Sequence, residues 1–311
     1  MDLLPTDDQQ QIVAAIRDVL ADGYGSEALR RNGGTITSVQ WQALADLGWL
    51  GLALPESRGG SGLTIVEEAL LCRELGRALM PPALIATLLA AHVVHDPALL
   101  DGRTRVAFVA GDYVVDDREA TLALEIGDAQ LRLVRLPGAR APLEALDESL
   151  GLSSVAAAQC EVVGRLGADA VLRAHVLLAA TLTGVAEGAC ALSVEHAKTR
   201  EQFGQPIGAF QAIKHACADM AIRCEAAWFQ VAFASLAVRD ASADAAAQAA
   251  AALRCAQRAA IDNAEAGVQV HGAMGFSSEA DPHRFVKRAQ VLSRLGPSSR
   301  RLDDLLLGTA A

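Results

Sequence analysis

The sequence predicts a mainly α-helical protein that contains a small β-domain. Apolar residues recur at the helical period over most of the chain, whereas one stretch of about sixty residues alternates apolar and polar positions. These changes in hydrophobic periodicity divide the chain into an N-terminal helical domain at residues 1–100, a middle β-domain at 101–164 and a C-terminal helical bundle at 165–311. With 311 residues, 52% of them hydrophobic and 21% charged, the chain is long enough to bury a core of this size.

Composition excludes several classes of protein. A formal net charge of −10 disfavours nucleic acid as a partner, because phosphate binding needs a basic stripe. The N-terminus has no export-signal layout, and the apolar run Leu84 to Val94 is shorter than the roughly 20 residues that span a bilayer. The six cysteines lack CxxC spacing, so we expect small buried thiols in a reducing cytoplasm, without disulfides or metal.

The N-terminal part is predicted to form helices separated by a loop. Thr6, followed by acidic residues and Gln9, is typical of a capped helix start, and this helix should run to about Ala21. Pro55 and the glycines that follow it predict a loop, after which helical periodicity resumes from Ile65 to Leu79. Between these helices an apolar face is predicted for Trp41, Leu44, Leu47 and Trp49.

Between Arg103 and Val163 the pattern changes to that of strands. The segments RVAFVA, YVVDD, TLALEIGD and LRLVRL alternate apolar and polar residues and are separated by Gly, Asp and Pro. This pattern predicts short antiparallel strands.

The C-terminal part is predicted to be a bundle of four helices joined by short loops. The predicted helices are Gly167 to Arg200, Gly208 to Arg239, Ala243 to Gly267, and His283 to Leu307. The third is rich in alanine, which indicates close contact with a neighbouring helix.

The break between the first two helices of the bundle is the best candidate for a ligand site. Gly204, Pro206 and Gly208 predict a tight corner between helices, from which Arg200, Gln202 and Phe203 project. These three side chains suit a flat, charged ligand: an arginine can bind a phosphate in bidentate fashion, an amide can hydrogen-bond, and an aromatic ring can stack. An ordinary helical hairpin with a surface arginine and a core phenylalanine is the alternative.

A second candidate follows the third helix, in the sequence QVHGAMGF that begins at Gln269. Glycines after a helix let backbone approach a ligand closely, and Gln269 can hydrogen-bond a pyrophosphate or a ribose. Loops of this kind are common, so this motif is weak when taken alone.

Together these segments resemble the acyl-CoA dehydrogenases. The first motif is similar to the family's RxQFGxPIxxFQ signature, the second to its QxxGGxG[FY] segment, and the stretch from Trp41 to Gly62 to its N-terminal domain. The resemblance implies that Arg200, Gln202, Phe203, Gln269 and Gly272 contact the adenosine diphosphate part of an FAD bound to a neighbouring subunit. Ala273 replaces the second glycine of the family's motif.

The reaction that the resemblance implies requires a glutamate that removes the α-proton of an acyl-CoA thioester. Gly296 and Ala174 occupy the two family positions for this base, so we predict no catalytic residue in this chain. Nearby, His175 is expected to be a hydrogen-bonded structural histidine, and Glu187 to face solvent or pair with a neighbouring charge. The family's TExxxGSD segment, which holds the flavin ring, has no counterpart in the shortened middle domain.

These observations favour the hypothesis that the chain is the short subunit of a heteromeric α2β2 acyl-CoA dehydrogenase. A full-length partner would hold the flavin ring, the catalytic glutamate and most of the acyl-CoA substrate. Analogy with actinobacterial enzymes suggests a steroid or another bulky acyl group. One alternative is a homodimeric FAD enzyme with His175 or an unrecognised acid as base. Others are a non-catalytic assembly subunit that binds no flavin, and a flavin monooxygenase of the same fold.

Overall fold

A computed structural model describes residues 3–24, 35–156 and 160–308. Its N-terminal helices are α1 (Asp7–Gly23), α2 (Ser38–Asp46), α3 (Ile65–Arg77), α4 (Ala83–Val93) and α5 (Pro97–Leu100). The predicted helix start at Thr6 is confirmed, because Thr6 caps the backbone of Gln9 and the Gln9 side chain caps Thr6 in return. Capping boxes of the same kind begin α2 and α3.

The apolar face predicted after α1 is buried except at one position. Trp41 and Leu44 lie in the core, and the indole N–H of Trp41 donates to the carbonyl of Gly102 (3.0 Å). Trp49 is buried in a 3₁₀ turn. Leu47 is 51% exposed, so its predicted burial is wrong: it lies at the C-terminal end of α2, just before the turn that redirects the chain.

The middle of the chain forms a seven-stranded sheet with the order β5-β6-β2-β1-β3-β4-β7. Its strands are β1 (Arg105–Ala110), β2 (Tyr113–Val115), β3 (Ala120–Ile126), β4 (Leu131–Arg135), β5 (Ala141–Pro142), β6 (Leu152–Ser154) and β7 (Val162–Leu166). The first four match the predicted segments. The expectation of antiparallel pairing fails at one ladder: β2 pairs antiparallel with one edge of β1, and β3 crosses to the other edge and runs parallel to β1.

The C-terminal helices are α6 (Ala168–Thr199), α7 (Gln211–Arg239), α8 (Ala245–His271), α9 (Pro282–Leu292) and α10 (Ser299–Leu306). The single last helix predicted from His283 to Leu307 is therefore wrong. Pro297 has no backbone N–H to continue helical hydrogen bonding, and Ser298 caps a new helix by accepting from the N–H of Arg301.

Helices α6 and α8 run parallel, in contact along their length. A side chain at Gly296 would touch both Leu178 and Leu253, and the Asn263 amide donates to the carbonyl of Ala186 (3.2 Å). The alanines of α8 that make this contact possible are fully buried, as the sequence predicted: Ala249, Ala252, Ala256 and Ala260. Because the helices are parallel, the segments that follow α6 and α8 emerge at the same end of the bundle.

Two of these helices, α6 and α7, are long and apolar enough to cross a membrane by length and composition alone. The shorter apolar run noted in the sequence lies in α4. In α6 the apolar stretch is 83% buried inside the protein, as expected for a central core helix. In α7 it is 44% buried, so part of that helix presents apolar side chains on the surface.

Three parts of the chain meet at Arg288 of α9. Its guanidinium donates to Asp147 (2.7 Å) and Ser149 (2.9 Å) in the loop between β5 and β6. It also donates to the carbonyls of Leu79 and Met80 (both 2.6 Å), between α3 and α4. We call these five residues the domain junction.

Candidate functional site

The segment between α6 and α7 is a two-stranded hairpin, with Glu201–Gln202 paired to Gln205–Pro206. The sequence located this break correctly, but a simple helix-helix corner is wrong. Phe203 and Gly204 form the two-residue turn with φ of 52° and 79°. Positive φ at both central positions is typical of the tight hairpin turn that matches strand twist, and only the glycine adopts it without strain.

The three predicted ligand-binding residues of this segment are exposed. The guanidinium of Arg200 makes no hydrogen bond or ion pair with the described parts of the chain. Among the residues that the structure describes, the Gln202 amide donates to the carbonyl of Glu201 alone (2.7 Å). Phe203 is 93% exposed and meets Phe210 edge-on at 6.1 Å, so the alternative of a core phenylalanine is wrong.

The second motif begins inside the last turn of α8. Gln269 is exposed there, and Gly272 ends the helix with a φ of 61°. A side chain at Gly272 would meet no atom within 4 Å, so open space surrounds this backbone. Ala273, Met274 and Phe276 follow on the surface.

The two motifs come together where α6 and α8 end. The rings of His196 and His271 stack with their centroids 4.1 Å apart and their planes at 24°. His196 lies one turn before Arg200, and His271 lies between Gln269 and Gly272. We call the resulting surface the hairpin edge and define it by Arg200, Gln202, Phe203, Gln269 and Gly272.

This surface has the properties of a site for the phosphate end of a nucleotide cofactor. It offers a guanidinium with all its donors available, two exposed amides, an exposed aromatic ring and a glycine that permits close approach. Its polar groups point away from the core. A ligand bound here would lie on the surface of this chain, where a second subunit could cover it.

Comparison with known proteins identifies the family. The model described as acyl-CoA dehydrogenase, N-terminal domain, matches residues 6–102, and the model for the C-terminal domain matches residues 170–299. "Acyl-CoA dehydrogenase IpdE2" of Mycobacterium tuberculosis is 32% identical over 319 residues, covering 96% of this chain and 96% of that protein. The chain belongs to the acyl-CoA dehydrogenase family. The enzyme class predicted from the sequence, an oxidoreductase acting on CH–CH bonds, is confirmed.

Solved structures of acyl-CoA dehydrogenases share the fold over the whole length. A variant of the Tcur3481-Tcur3483 steroid ACAD superposes with a TM-score of 0.82 at 27% identity, covering 98% of this chain and 99% of that one. The ChsE4-ChsE5 complex from Mycobacterium tuberculosis superposes with a TM-score of 0.81 at 23% identity and covers both chains completely. The predicted mainly helical fold with a middle sheet is therefore confirmed.

The two residues that the sequence resemblance aligns with a catalytic base, Ala174 and Gly296, both lie near Leu178. Ala174 is fully buried on α6, one turn before Leu178. Gly296 lies beside the same leucine, because a side chain built on it would sit 3.3 Å from Leu178 and 3.2 Å from Leu253. The side chains nearest to Gly296 are apolar, and neither Ala174 nor Gly296 can accept a proton.

His175 is not the hydrogen-bonded histidine that the sequence predicted. It is 5% exposed, and its buried Nε2 has no hydrogen-bond partner in the described structure. Burial lowers its pKa to about 4, against a small opposing effect of Asp128, so the ring is neutral at pH 7. Since Nε2 is enclosed by protein, a substrate carbon cannot approach it as the chain is folded here.

Glu187 forms buried ion pairs and does not face solvent, so only the second half of its prediction is confirmed. Its carboxylate accepts from Arg73 Nε (2.9 Å) and from the guanidinium of Arg77. Arg73 also lies over the ring of Trp228, 4.0 Å from its centroid. These contacts join α3, α6 and α7, which gives Glu187 a structural role.

The cysteines are less buried than the sequence predicted. Cys72 and Cys224 are buried, Cys255 is exposed, and the other three are partly exposed. All six carry free thiols. Within residues 3–24, 35–156 and 160–308, no group of three or more His, Cys, Asp or Glu side chains is placed to hold a metal ion.

Sequence reasoning missed the histidine pair and a cavity of about 470 Å³ behind the hairpin. The cavity is lined mainly by apolar side chains of α6, α7 and the hairpin, together with Lys198 and Lys214. These are two of the three lysines in the chain, and the scarcity of lysine was visible in the sequence. The histidine pair had no local signal, because 75 residues separate the rings.

Proposed function

We propose that the chain is the short subunit of a heteromeric acyl-CoA dehydrogenase and completes the FAD site of a full-length catalytic partner. The observation that carries the proposal is a contrast within this one chain. The hairpin edge keeps its binding groups and presents them outward, while both positions for the catalytic base hold residues that cannot take a proton.

The hairpin edge fits the diphosphate and adenosine end of FAD. Arg200 has its donors free for a phosphate, Gln202 and Gln269 can reach polar atoms, and Gly272 lets backbone approach closely. Phe203 can cover a ring or the linking sugar. Nothing in this fit requires this chain to hold the flavin ring.

FAD, when bound, would accept the hydride that leaves the β-carbon of the acyl-CoA. The α-proton must be taken by a carboxylate, and we assign this step to the partner because Ala174 and Gly296 cannot perform it. The role of this chain is to bind and orient the outer half of the cofactor and to exclude water from it.

The substrate class follows by analogy. A relative in structure is named as a steroid ACAD, and another is a complex of two proteins, ChsE4 and ChsE5. We propose a steroid or other bulky acyl-CoA held mainly by the partner, in an α2β2 assembly with three domains per short subunit bounded near residues 100 and 164. The free thiols fit a cytoplasmic location.

The test is flavin content with and without the partner. The chain is purified alone and after co-expression with the full-length acyl-CoA dehydrogenase encoded nearest to it, and flavin absorbance and native mass are recorded. We expect colour only in the complex, at one FAD for each pair of long and short subunits. The Arg200→Ala complex should lose FAD, because a charge-assisted contact to phosphate is worth about 1.5–3 kcal/mol.

Arg258→Ala is the matched control, since Arg258 is also an exposed arginine but pairs with Asp262 away from the hairpin. Its complex should keep FAD. One FAD on the lone chain would favour the homodimeric alternative. A complex that forms without FAD, or that keeps it after Arg200→Ala, would favour a non-catalytic assembly subunit.

A further inference from the structure

The stacked histidines join the two halves of the hairpin edge. The carbonyl of His196 accepts the backbone N–H of Arg200 (2.8 Å), so the two residues are joined across the last turn of α6. Nδ1 of His271 lies 2.7 Å from the carbonyl of Gly267, which fixes this ring at the end of α8. Both rings are half-buried, so each keeps one side towards solvent.

The charged groups around the pair are of both signs. Lys198 pairs with Glu195 (2.8 Å), and the turn after His271 contains no charged residue. The charged and titratable groups along the chain around the pair are Cys190, Glu195, Lys198, Arg200, Glu201 and Glu265, and those at the start of α7 are Lys214, His215, Cys217 and Asp219. Burial lowers the pKa of His196, and the neighbouring His271 and Arg200 lower it further. Without a ligand, the His196 ring is therefore kept neutral at pH 7.

We propose that His196 and His271 belong to the cofactor site, and that His196 takes up a proton when the diphosphate of the partner's FAD binds beside Arg200. This inference rests on the proposed function. The FAD diphosphate carries two negative charges, and Arg200 offsets only one of them. The second negative charge favours the imidazolium form of a ring one helical turn away, and the stacked ring of His271 holds it in place.

Proton uptake makes FAD binding depend on pH. Because the bound form holds one more proton than the free form, FAD affinity rises as pH falls through the range where histidine titrates. If the diphosphate raises the His196 pKa by one unit, affinity changes about tenfold between the two limits of that range. A site with only Arg200 would show no such change from this chain, since arginine stays charged throughout.

The experiment measures the dissociation constant of FAD from the purified long-short complex by flavin fluorescence between pH 5.5 and 8.5. The wild-type complex should bind FAD about tenfold more tightly at the acid end. His196→Phe keeps an aromatic ring against His271 but cannot take a proton, so its profile should be flat relative to the wild type. His196→Gln serves as a second non-titrating variant, and thermal unfolding confirms that both variants are folded.

His95→Asn is the matched control, because His95 is exposed beyond α4 and far from the hairpin in the chain. It should keep the wild-type slope. A slope that survives both His196 variants overturns the inference. Arg200→Ala separates this failure from that of the proposed function: if FAD affinity is unchanged in that variant at every pH, the shared site itself is wrong.

Discussion

The hairpin edge and the domain junction are each built around an arginine, and the two arginines differ in their surroundings. Arg288 at the junction has a side chain that is 3% exposed and donates to four acceptors from two other parts of the chain. Arg200 at the edge is exposed and has no partner in the described structure. The junction uses its donors to stabilise the fold, whereas the edge leaves them available for something outside the chain.

The largest effect is expected at the junction. Arg288→Met removes the counter-charge of buried Asp147 and leaves two carbonyls without their donor, which should lower the free energy of unfolding by about 3–5 kcal/mol. Urea unfolding measures it. The adjacent Lys287→Ala is the control, since Lys287 pairs with the exposed Glu148 and should contribute at most about 1 kcal/mol. Equal losses of unfolding free energy in the two variants would contradict the stabilising role assigned to Arg288.

A smaller loss is expected from Glu187→Gln. The amide cannot balance Arg73 and Arg77, and we expect a loss of about 2–3 kcal/mol. Glu195→Gln on the same helix is the matched control, because its pair with Lys198 is exposed and should contribute at most about 1 kcal/mol. If Glu187→Gln abolishes catalysis in the complex without affecting stability, Glu187 is a catalytic residue and our structural assignment is wrong.

The sequence predicted most of the helices and four strands because their signals are local. Thr6 and Gln9 predict a helix start from four residues, and RVAFVA predicts a strand from six. The parallel pairing of β1 with β3 and the stacking of His196 on His271 depend on which segments meet in space. No local periodicity encodes contacts between segments that are distant in sequence, so these two contacts could not be predicted from the pattern.

The candidate site divides in the same way. Its exposed residues were found because they lie in two short motifs. The prediction of a hydrogen-bonded His175 was wrong, and the predicted charge pairing of Glu187 is confirmed without its partners having been identified. Both residues are polar positions on one apolar helix, and the sequence does not say which neighbouring helix supplies a partner. Arg73 and Arg77 of α3 reach Glu187, whereas no group among the described residues reaches Nε2 of His175, and this difference arises from packing between distant segments.

Acid should weaken the domain junction, at pH values below the range in which His196 of the hairpin edge titrates. Burial alone would raise the pKa of Asp147, but the charge of Arg288 and hydrogen bonds from Ser149 and Arg288 outweigh it and lower the pKa. A carboxylate of this kind stabilises the fold above an unfolded-state pKa of about 4, and the contribution is lost as pH falls through the lower folded-state value. Buried Asp116 acts in the opposite sense, since burial raises its pKa and it takes up its proton at higher pH.

Urea unfolding between pH 2 and 6 measures this loss, which should be smaller than that of Arg288→Met at neutral pH. Asp147→Asn should remove that part of the pH dependence. Asp240→Asn should leave it unchanged, because Asp240 pairs with Arg239 on the surface. A profile identical in the wild type and Asp147→Asn would show that the junction does not titrate.

The smallest effect on stability is expected at Phe203, and it should have the opposite sign. Phenylalanine holds a left-handed φ of 52° there while its ring is 93% exposed, so the chain retains a strained residue that contributes no burial of its own. Asparagine adopts this conformation readily, and Asn-Gly is the preferred sequence for such a turn. Phe203→Asn should therefore raise the free energy of unfolding by about 0.5–1 kcal/mol while lowering the affinity for the partner.

Urea unfolding and titration of the FAD-loaded partner measure the two quantities separately. Val39→Asn is the control, because Val39 is similarly exposed on α2 but lies outside the hairpin edge, and it should leave partner affinity unchanged. A large loss of stability in Phe203→Asn would mean that the ring packs within the chain, as in an ordinary helical hairpin. A gain in stability together with weaker association would show that the strain at Phe203 is retained for binding, which is the distinction between the hairpin edge and the junction.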